Sequence, residues 1–185
     1  MKNFTILLFI FLIISCKSQS PIYNLGDGNT TIPQNSYQKD TENVLNKFSG
    51  TWVYNENGKI FSVTLNKAEM VKLINYYVDE LQGSYSYSNN GNIIVNTALP
   101  VYAGKNSTIY GAILWEGDVN KVTSYFEDPG RPKMAAEVTL TYSNQNGVEK
   151  LHWQLEHTGT SAQLPGDSAP LLDFRVPTDV YLVKQ

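Results

Sequence analysis

Two histidines and a few acidic residues are the side chains that could form an acid–base or metal site. His152 and His157 are five residues apart on a segment with the alternation of a strand. Because successive side chains of a strand point to opposite sides, this odd spacing places the two rings on opposite faces. Cysteine is the other side chain that commonly binds zinc, and the chain has a single one, Cys16. The composition therefore predicts no metal site and no cofactor.

The carboxylates that could supply a general acid and a general base are Asp79 with Glu80, Glu127 with Asp128, and Asp173. Adjacent acidic residues on a strand face opposite ways, so neither pair acts on one substrate from one face. The chain has no Gly-X-Ser-X-Gly nucleophile motif and no phosphate-binding glycine loop. We therefore expect these carboxylates to be solvated or to cap turns, and we expect the protein not to be an enzyme.

Aromatic residues on predicted strands are the better lead to a binding site. They are Tyr85, Tyr87, Tyr110, Trp115, Tyr125, Tyr142 and Trp153. If Tyr85, Tyr87, Trp115 and Trp153 face the inside of a barrel, they line an apolar pocket with hydroxyl and indole groups for orientation. These four residues are the candidate ligand pocket. The alternative is that the rings fill the core or form cross-strand pairs on the outer face.

The elements that must position these residues are short strands separated by turn signals. Asn57-Gly58, Asn89-Asn90-Gly91, Gly117-Asp118 and Asn146-Gly147 each lie between two segments of alternating residues. Eight to ten such strands predict an all-β fold, a single antiparallel β-barrel, with a β-sandwich as the alternative. Closure of a barrel also removes the exposed strand edges. The lead-in before Phe48 has room for one helical turn.

The segment 66–83 fits two patterns. Asn66 and Glu69 resemble a capping box, and the apolar residues from Met70 onward follow a helical stripe. Tyr77 and Asp79 begin an alternation that is typical of a strand. We expect a short helical piece over 67–74 followed by a long strand over 76–88.

Residues 1–15 have the composition of an export signal. Lys2 precedes an apolar run from Phe4 to Ile14, which is shorter than the roughly 20 residues of a membrane-spanning helix. The run ends in Ile13-Ile14-Ser15-Cys16, which resembles a bacterial lipobox. This resemblance implies that residues 1–15 are a lipoprotein signal peptide and that Cys16 carries diacylglycerol. Several acyl chains on one residue anchor a protein stably.

Residues 16–36 are rich in glycine, proline and asparagine and are predicted to be a flexible tether, followed by a β-barrel domain over 37–185. Lys17 after the cysteine resembles the sorting signal for outer-membrane transfer, and no acidic run of the kind that directs Bacteroidetes lipoproteins to the surface follows. We therefore expect a lipid anchor at the periplasmic face of the outer membrane. The net charge of −3 argues against nucleic acid as a partner. The expected partners are the membrane, a small apolar ligand or another envelope protein.

Gly50-Thr51-Trp52 is similar to the Gly-X-Trp motif at the start of lipocalin barrels. That resemblance implies that Trp52 plugs the closed end of the barrel. It also implies that an arginine from the last strand packs over the indole ring. Arg175 lies in the closing segment, so Trp52 and Arg175 are predicted to form a cation–π pair.

A second resemblance extends over nearly the whole mature chain. Its motifs are Ser15-Cys16-Lys17-Ser18-Gln19, Tyr37-Gln38-Lys39-Asp40, Phe48-Ser49-Gly50-Thr51-Trp52, Asp79-Glu80-Leu81-Gln82-Gly83-Ser84-Tyr85-Ser86-Tyr87, Val95-Asn96-Thr97 and Val176-Pro177-Thr178-Asp179-Val180-Tyr181-Leu182-Val183-Lys184. Together they resemble a family of uncharacterised flavobacterial lipoproteins that carries a domain of unknown function. The resemblance implies a bacterial envelope protein and supplies no activity.

Overall fold

The computed structural model describes residues 20–28, 31–98, 107–162, 166 and 168–185. Regular structure in these residues is almost entirely β, as the sequence predicts. The strands are β1 (Ile22–Asn24), β2 (Tyr37–Lys39), β3 (Gly50–Glu56), β4 (Lys59–Lys72), β5 (Tyr77–Asn89), β6 (Asn92–Asn96), β7 (Ile109–Trp115), β8 (Asp118–Phe126), β9 (Met134–Gln145), β10 (Val148–Thr160) and β11 (Asp179–Lys184). A 3-10 turn, η1 (Val44–Phe48), precedes β3 and corresponds to the helical turn expected in the lead-in. The calls on residues 1–19, including Cys16, lie outside the described residues.

Eight of the strands close into an antiparallel barrel. Their order is β5-β4-β3-β11-β10-β9-β8-β7, and β7 pairs back with β5 from Gly83↔Ile109 to Leu81↔Gly111. The first and last barrel strands meet where β3 pairs with β11. This closure confirms the predicted barrel over the alternative sandwich. β6, β2 and β1 extend the edge of β5 outside the barrel, with β6 antiparallel and β2 parallel to it.

The alternating strand directions give the barrel two distinct ends. The helix end carries η1, the turn 73–76 between β4 and β5, and the β7–β8 and β9–β10 hairpins. The loop end carries the β3–β4 and β5–β6 hairpins and the segments 127–133 and 168–178. These two names are used below.

Side chains that point inward fill the barrel. The largest fully buried ones are Trp52, Trp153, Tyr85, Phe48, Phe61, Leu45, Leu65, Leu81, Ile109, Leu140, Leu151 and Leu182. Phe61 packs edge-to-face on Trp153 at a centroid distance of 5.1 Å, and Tyr85 stacks on Phe126 at 4.8 Å. An eight-stranded barrel is just wide enough to be filled by its own side chains. The middle of this barrel is therefore a packed aromatic and aliphatic core.

The helical piece predicted over 67–74 is wrong. β4 continues to Lys72 and pairs with β5, with a bulge between Ala68 and Val71. Within the bulge, Met70 adopts a left-handed backbone with φ 53°, and its N–H donates to Asp79 Oδ1 at 3.0 Å. The β4–β5 ladder and this long-range hydrogen bond outweigh the local capping pattern.

Two segments also differ from their predicted boundaries. Ile22–Asn24 lies inside the predicted tether but pairs with β2, and Leu25 N donates to Lys39 O at 2.8 Å. At the other end of the chain, the closing segment that contains Arg175 forms a strand only over Asp179–Lys184, so Arg175 lies before it. The residues before it cross the loop end without strand structure, and Pro177 O and Thr178 O accept hydrogen bonds from Trp153 and Leu155 of β10.

Candidate functional site

The structure does not bring the four candidate pocket residues together. Tyr85 and Trp153 are 2% and 0% exposed and belong to the packed core. Trp115 lies on the outside of the barrel, 47% exposed, with the Lys121 ammonium 3.7 Å from its ring centroid. Tyr87 is half-buried at the loop end. Tyr85 and Trp153 therefore fill the core, which is the alternative interpretation, and Tyr87 lines an open space among the described residues.

That open space is a cleft of about 250 Å³ at the loop end. It is lined by Tyr54, Lys59, Tyr87, Phe174, Arg175, Val176, Pro177 and Val180. Tyr54 and Tyr87 are placed there by strand register, since each lies directly across from Phe61 of β4. Phe61 is fully buried between them, so the core forms the floor of the cleft.

The second wall of the cleft is a strap formed by residues 174–178. Trp153 Nε1 donates to Pro177 O at 3.0 Å, and Leu155 N donates to Thr178 O at 2.7 Å. Val176, in the middle of the strap, is itself buried. The strap is thus fastened to β10 and holds Phe174 over the mouth of the barrel.

A buried ion pair fastens the other side of the strap. Arg175 Nε donates to Asp128 Oδ2 at 2.8 Å, and a second bond joins Arg175 Nη2 to Asp128 Oδ1. Asp128 is 3% exposed and also accepts from Gly130 N at 2.8 Å. A Cβ on Gly130 would lie 2.6 Å from the guanidinium, so glycine is what permits this approach. Asp128 therefore both caps its turn, as expected, and anchors the strap.

Arg175 therefore pairs with Asp128 and does not form the cation–π pair with Trp52 that the sequence predicts. The cation over the Trp52 ring is Lys184, whose ammonium lies 5.2 Å from the ring centroid. Trp52 is fully buried at the helix end, and its Nε1 donates to Phe48 O at 2.8 Å. The rings of Phe48 and Trp52 each lie 6.3 Å from Tyr142. The expected cation–π contact with Trp52 is present, but Lys184 of β11 makes it in place of Arg175.

A buried polar cluster at the helix end was missed in the sequence. Asp79 is fully buried and accepts hydrogen bonds from Tyr37 Oη at 2.5 Å and from Asp40 N at 3.0 Å. The Lys67 ammonium lies 3.0 Å from Asp40 and 4.0 Å from Asp79. Burial, and then the bond to Asp79, raises the pKa of Tyr37 above its ordinary value. Since every member is paired, the cluster is suited to holding elements together.

Asp40 fastens η1 to this cluster. Its two carboxylate oxygens accept from Val44 N at 2.8 Å and Leu45 N at 2.9 Å. The position of Asp40 a few residues before an apolar turn is the only local signal for this role. Its pairing with Lys67 joins segments far apart in sequence, which local patterns do not show.

The other candidate chemical residues are dispersed. Asp79 and Glu80 are buried rather than solvated, whereas Asp173 is exposed and pairs with Arg131 at 2.6 Å. His152 stacks on Tyr181 at 4.2 Å, and its Nε2 lies 2.7 Å from Asp179 Oδ1. This hydrogen bond lowers the pKa of Asp179. The described residues contain no group of three or more His, Cys, Asp and Glu side chains placed to hold a metal ion.

Within the described ranges, no helix has the length and apolar character that crossing a bilayer requires.

Comparison with known proteins places the chain in a family. Neither a curated protein nor a solved structure matches the chain. One family model matches residues 1–185, the full length of the sequence. The chain therefore belongs to the family of unknown function DUF6705.

Proposed function

We propose that this protein is a bacterial lipoprotein whose β-barrel is a non-catalytic, lipocalin-like module that binds a small apolar ligand. Acyl chains on Cys16 anchor it at the periplasmic face of the outer membrane. The lipobox-like Ile13-Ile14-Ser15-Cys16 and the resemblance to flavobacterial lipoproteins support the anchor. The observation that carries the binding function is the cleft of about 250 Å³ at the loop end.

The lining of the cleft suits a ligand with a flat apolar body and a polar or anionic group. Tyr54, Tyr87 and Phe174 supply three rings, and Lys59 supplies an ammonium at the rim. The volume is slightly below the roughly 300–1,000 Å³ typical of ligand sites. We therefore propose a small ligand, or one end of a longer one. It is held at the barrel mouth because the middle of the barrel is filled by Phe61, Tyr85, Trp153 and their neighbours.

The proposal that the module is non-catalytic is supported by the hydrogen bonds that its buried carboxylates accept. Asp128 accepts from Arg175 and Gly130, and Asp79 accepts from Tyr37, Asp40 and Met70. These bonds occupy the oxygens that a general acid or base would offer to a substrate. They are stabilising contacts between strands and loops.

The ligand-binding test uses 8-anilinonaphthalene-1-sulfonate, an aromatic anion, as the probe. We expect the lipidated mature protein in detergent to bind it with enhanced fluorescence. Tyr87→Ala should weaken binding by about tenfold, since a lost ring contact of ~1.4 kcal/mol is one decade of affinity. The matched control is Tyr181→Ala, on the outer face and 59% exposed. Equal affinity of Tyr87→Ala and the unmutated protein would count against the cleft as the binding site.

The anchor has its own test. Cys16→Ser should leave an unprocessed precursor without acyl chains, because serine lacks the thiol that takes diacylglycerol. The measurement is the intact mass of the protein together with its fractionation between inner and outer membranes. A Cys16→Ser variant that still matures and fractionates with the outer membrane would refute the lipid anchor.

A second candidate function, an interaction module of the envelope, is favoured by an apolar surface on the outside of β7 and β8. Ile113, Trp115, Val119 and Tyr125 are between 45% and 53% exposed there. A photo-crosslinking amino acid at Ile113 should then capture a partner in intact cells. The same group at Val183, on the outer face of β11 and 37% exposed, is the control. Identical products from both sites would remove the support for this surface.

A further inference from the structure

The most exposed large apolar side chain among the described residues is Ile74, in the turn 73–76 at the helix end. It is 95% exposed, and its neighbour Leu73 is 39% exposed. Met70 on β4 and Ile22 on β1 add side chains that are 54% and 61% exposed. A cluster of exposed apolar side chains at one edge of a domain is a common mark of a contact surface.

The described chain begins at this same edge. Ile22 pairs with Tyr37, Tyr37 pairs with Tyr77, and Tyr77 pairs with Lys72, so these residues form one row across four strands. Neighbouring strands are about 4.8 Å apart, which puts Ile22 about 10 Å from Tyr77.

Backbone bonds continue beyond that row on the side of the turn. Tyr37 N donates to Pro21 O at 2.8 Å, and Asn35 N donates to Asn75 O at 2.6 Å. The residues just before β1 thus lie on the side of the barrel from which Ile74 projects.

We propose that the turn 73–76 rests on the lipid bilayer in which Cys16 is anchored, with Ile74 in the membrane interface. This inference rests on the proposed lipid anchor. Ser20 is the fourth residue after Cys16, and four residue steps span at most ~14 Å. A lipidated Cys16 therefore holds the edge that contains Ile22 and Ile74 close to the lipid headgroups.

The same geometry sets the direction of the cleft. From Tyr77 to Asn89, β5 rises by about 40 Å along the strand at ~3.3 Å per residue. The loop end is therefore well separated from the bilayer when the helix end rests on it. The cleft bounded by Tyr54 and Tyr87 opens away from the membrane, towards the aqueous compartment.

The charges beside the turn favour an apolar contact over an electrostatic one. Lys72 is exposed next to the turn, and Glu69, with 67% of its side chain exposed, lies three residues earlier on β4. These opposite charges offset each other against anionic headgroups. The turn is held in place by the hydrogen bond from Met70 N to Asp79 and by the Lys67–Asp40 ion pair. We therefore expect the contact to persist at high salt.

The test places a fluorescent label at each end of the barrel. The lipidated full-length mature chain, carrying Ile74→Cys labelled with an NBD group, is reconstituted into phosphatidylethanolamine–phosphatidylglycerol vesicles. The matched control is Ile93→Cys, an isoleucine that is 70% exposed on the β5–β6 side of the loop end. We expect a blue-shifted emission and quenching by nitroxide-labelled lipid at position 74, and neither at position 93. Leu73→Cys is the second site if the first variant folds poorly.

Three results would overturn the inference. Equal quenching at positions 74 and 93 in a protein whose intact mass shows the acyl chains would refute the orientation and leave the anchor standing. A mass without acyl chains would refute the anchor and the inference together. A blue-shifted emission of the label at Ile74→Cys in native membranes, but not in vesicles that contain this protein alone, would mean that the turn docks on another protein.

Discussion

The ammonium of Lys184 lies 5.2 Å from the centre of the Trp52 ring, and the two residues are direct cross-strand partners between β11 and β3. The same ammonium bonds to Glu149 of β10 at 3.2 Å. One side chain of the last strand thus joins three neighbouring strands at the seam where the barrel closes. Since Trp52 also bonds to Phe48 of η1, the seam and the helix end share one set of contacts.

We expect Trp52→Ala to lower the free energy of unfolding by about 3–5 kcal/mol, as for other fully buried large aromatic residues. The loss combines the indole packing with the hydrogen bond to Phe48 O. Lys184→Met, which keeps the length of the stem and removes the charge, should cost at most about 1 kcal/mol. Urea unfolding followed by circular dichroism measures both. A Lys184→Met loss as large as that of Trp52→Ala would contradict a seam held mainly by packing.

The Arg175–Asp128 pair should be the main electrostatic attachment of the strap. Arg175→Met leaves the Asp128 carboxylate buried without its guanidinium, which typically costs about 3–5 kcal/mol. Arg131→Met is the matched control, because Arg131 pairs with Asp173, whose side chain is 64% exposed. A surface pair of this kind contributes at most about 1 kcal/mol. Equal losses for the two variants, measured by urea unfolding, would show that the buried pair does not anchor the strap.

The barrel could be predicted from the sequence because the patterns that specify its strands and turns are local. Alternating residues and Asn-Gly turns specify each hairpin, and successive hairpins close into a barrel without long-range detail. The error at residues 67–74 arose where a distant group decides the structure. Met70 takes a left-handed backbone because Asp79, from the next strand, accepts its N–H.

The arrangement of the candidate site could not be predicted, because it depends on contacts between residues that are far apart in the sequence. Tyr85 and Trp153 point inward as their alternation suggests, but whether a cavity remains depends on the summed volume of side chains from all eight strands. The choice between Lys184 and Arg175 as the cation over Trp52 depends on where β11 begins, since residues 172–178 are not part of it. The cluster of Asp40, Lys67 and Asp79 joins segments that only the folded chain brings together.

Gly83 marks a close approach of β5 and β4. A Cβ there would lie 2.4 Å from Thr64 O and 2.6 Å from Leu65 Cδ2, although Gly83 has an ordinary backbone conformation. We expect Gly83→Ala to destabilise the protein by about 1–3 kcal/mol through overpacking. Gly159→Ala is the control, since its Cβ would meet nothing within 4 Å. It should be neutral or stabilising by up to about 1 kcal/mol. Similar melting temperatures for the two variants would contradict this steric account.

Tyr37 should make stability fall at alkaline pH. Burial, and then the hydrogen bond to Asp79, raises its pKa above the ordinary value of 10.0 in the folded protein. Above pH 10 the unfolded chain releases the phenolic proton while the folded chain keeps it. The contribution is therefore complete below pH 10 and is lost as the pH rises towards the folded pKa, by at most about 1.4 kcal/mol per pH unit.

Tyr37→Phe isolates this effect. At pH 7 the variant should be less stable by about 1–2 kcal/mol, because Asp79 loses one of its hydrogen-bond donors. Above pH 10 the gap between the two proteins should shrink, since phenylalanine has no proton to lose. Tyr54, Tyr110 and Tyr142 also have raised pKa values, but they are present in both proteins and cancel in the difference. Urea unfolding from pH 7 to 11 measures the gap, and a constant gap across this range would show that the Tyr37 proton is not linked to folding.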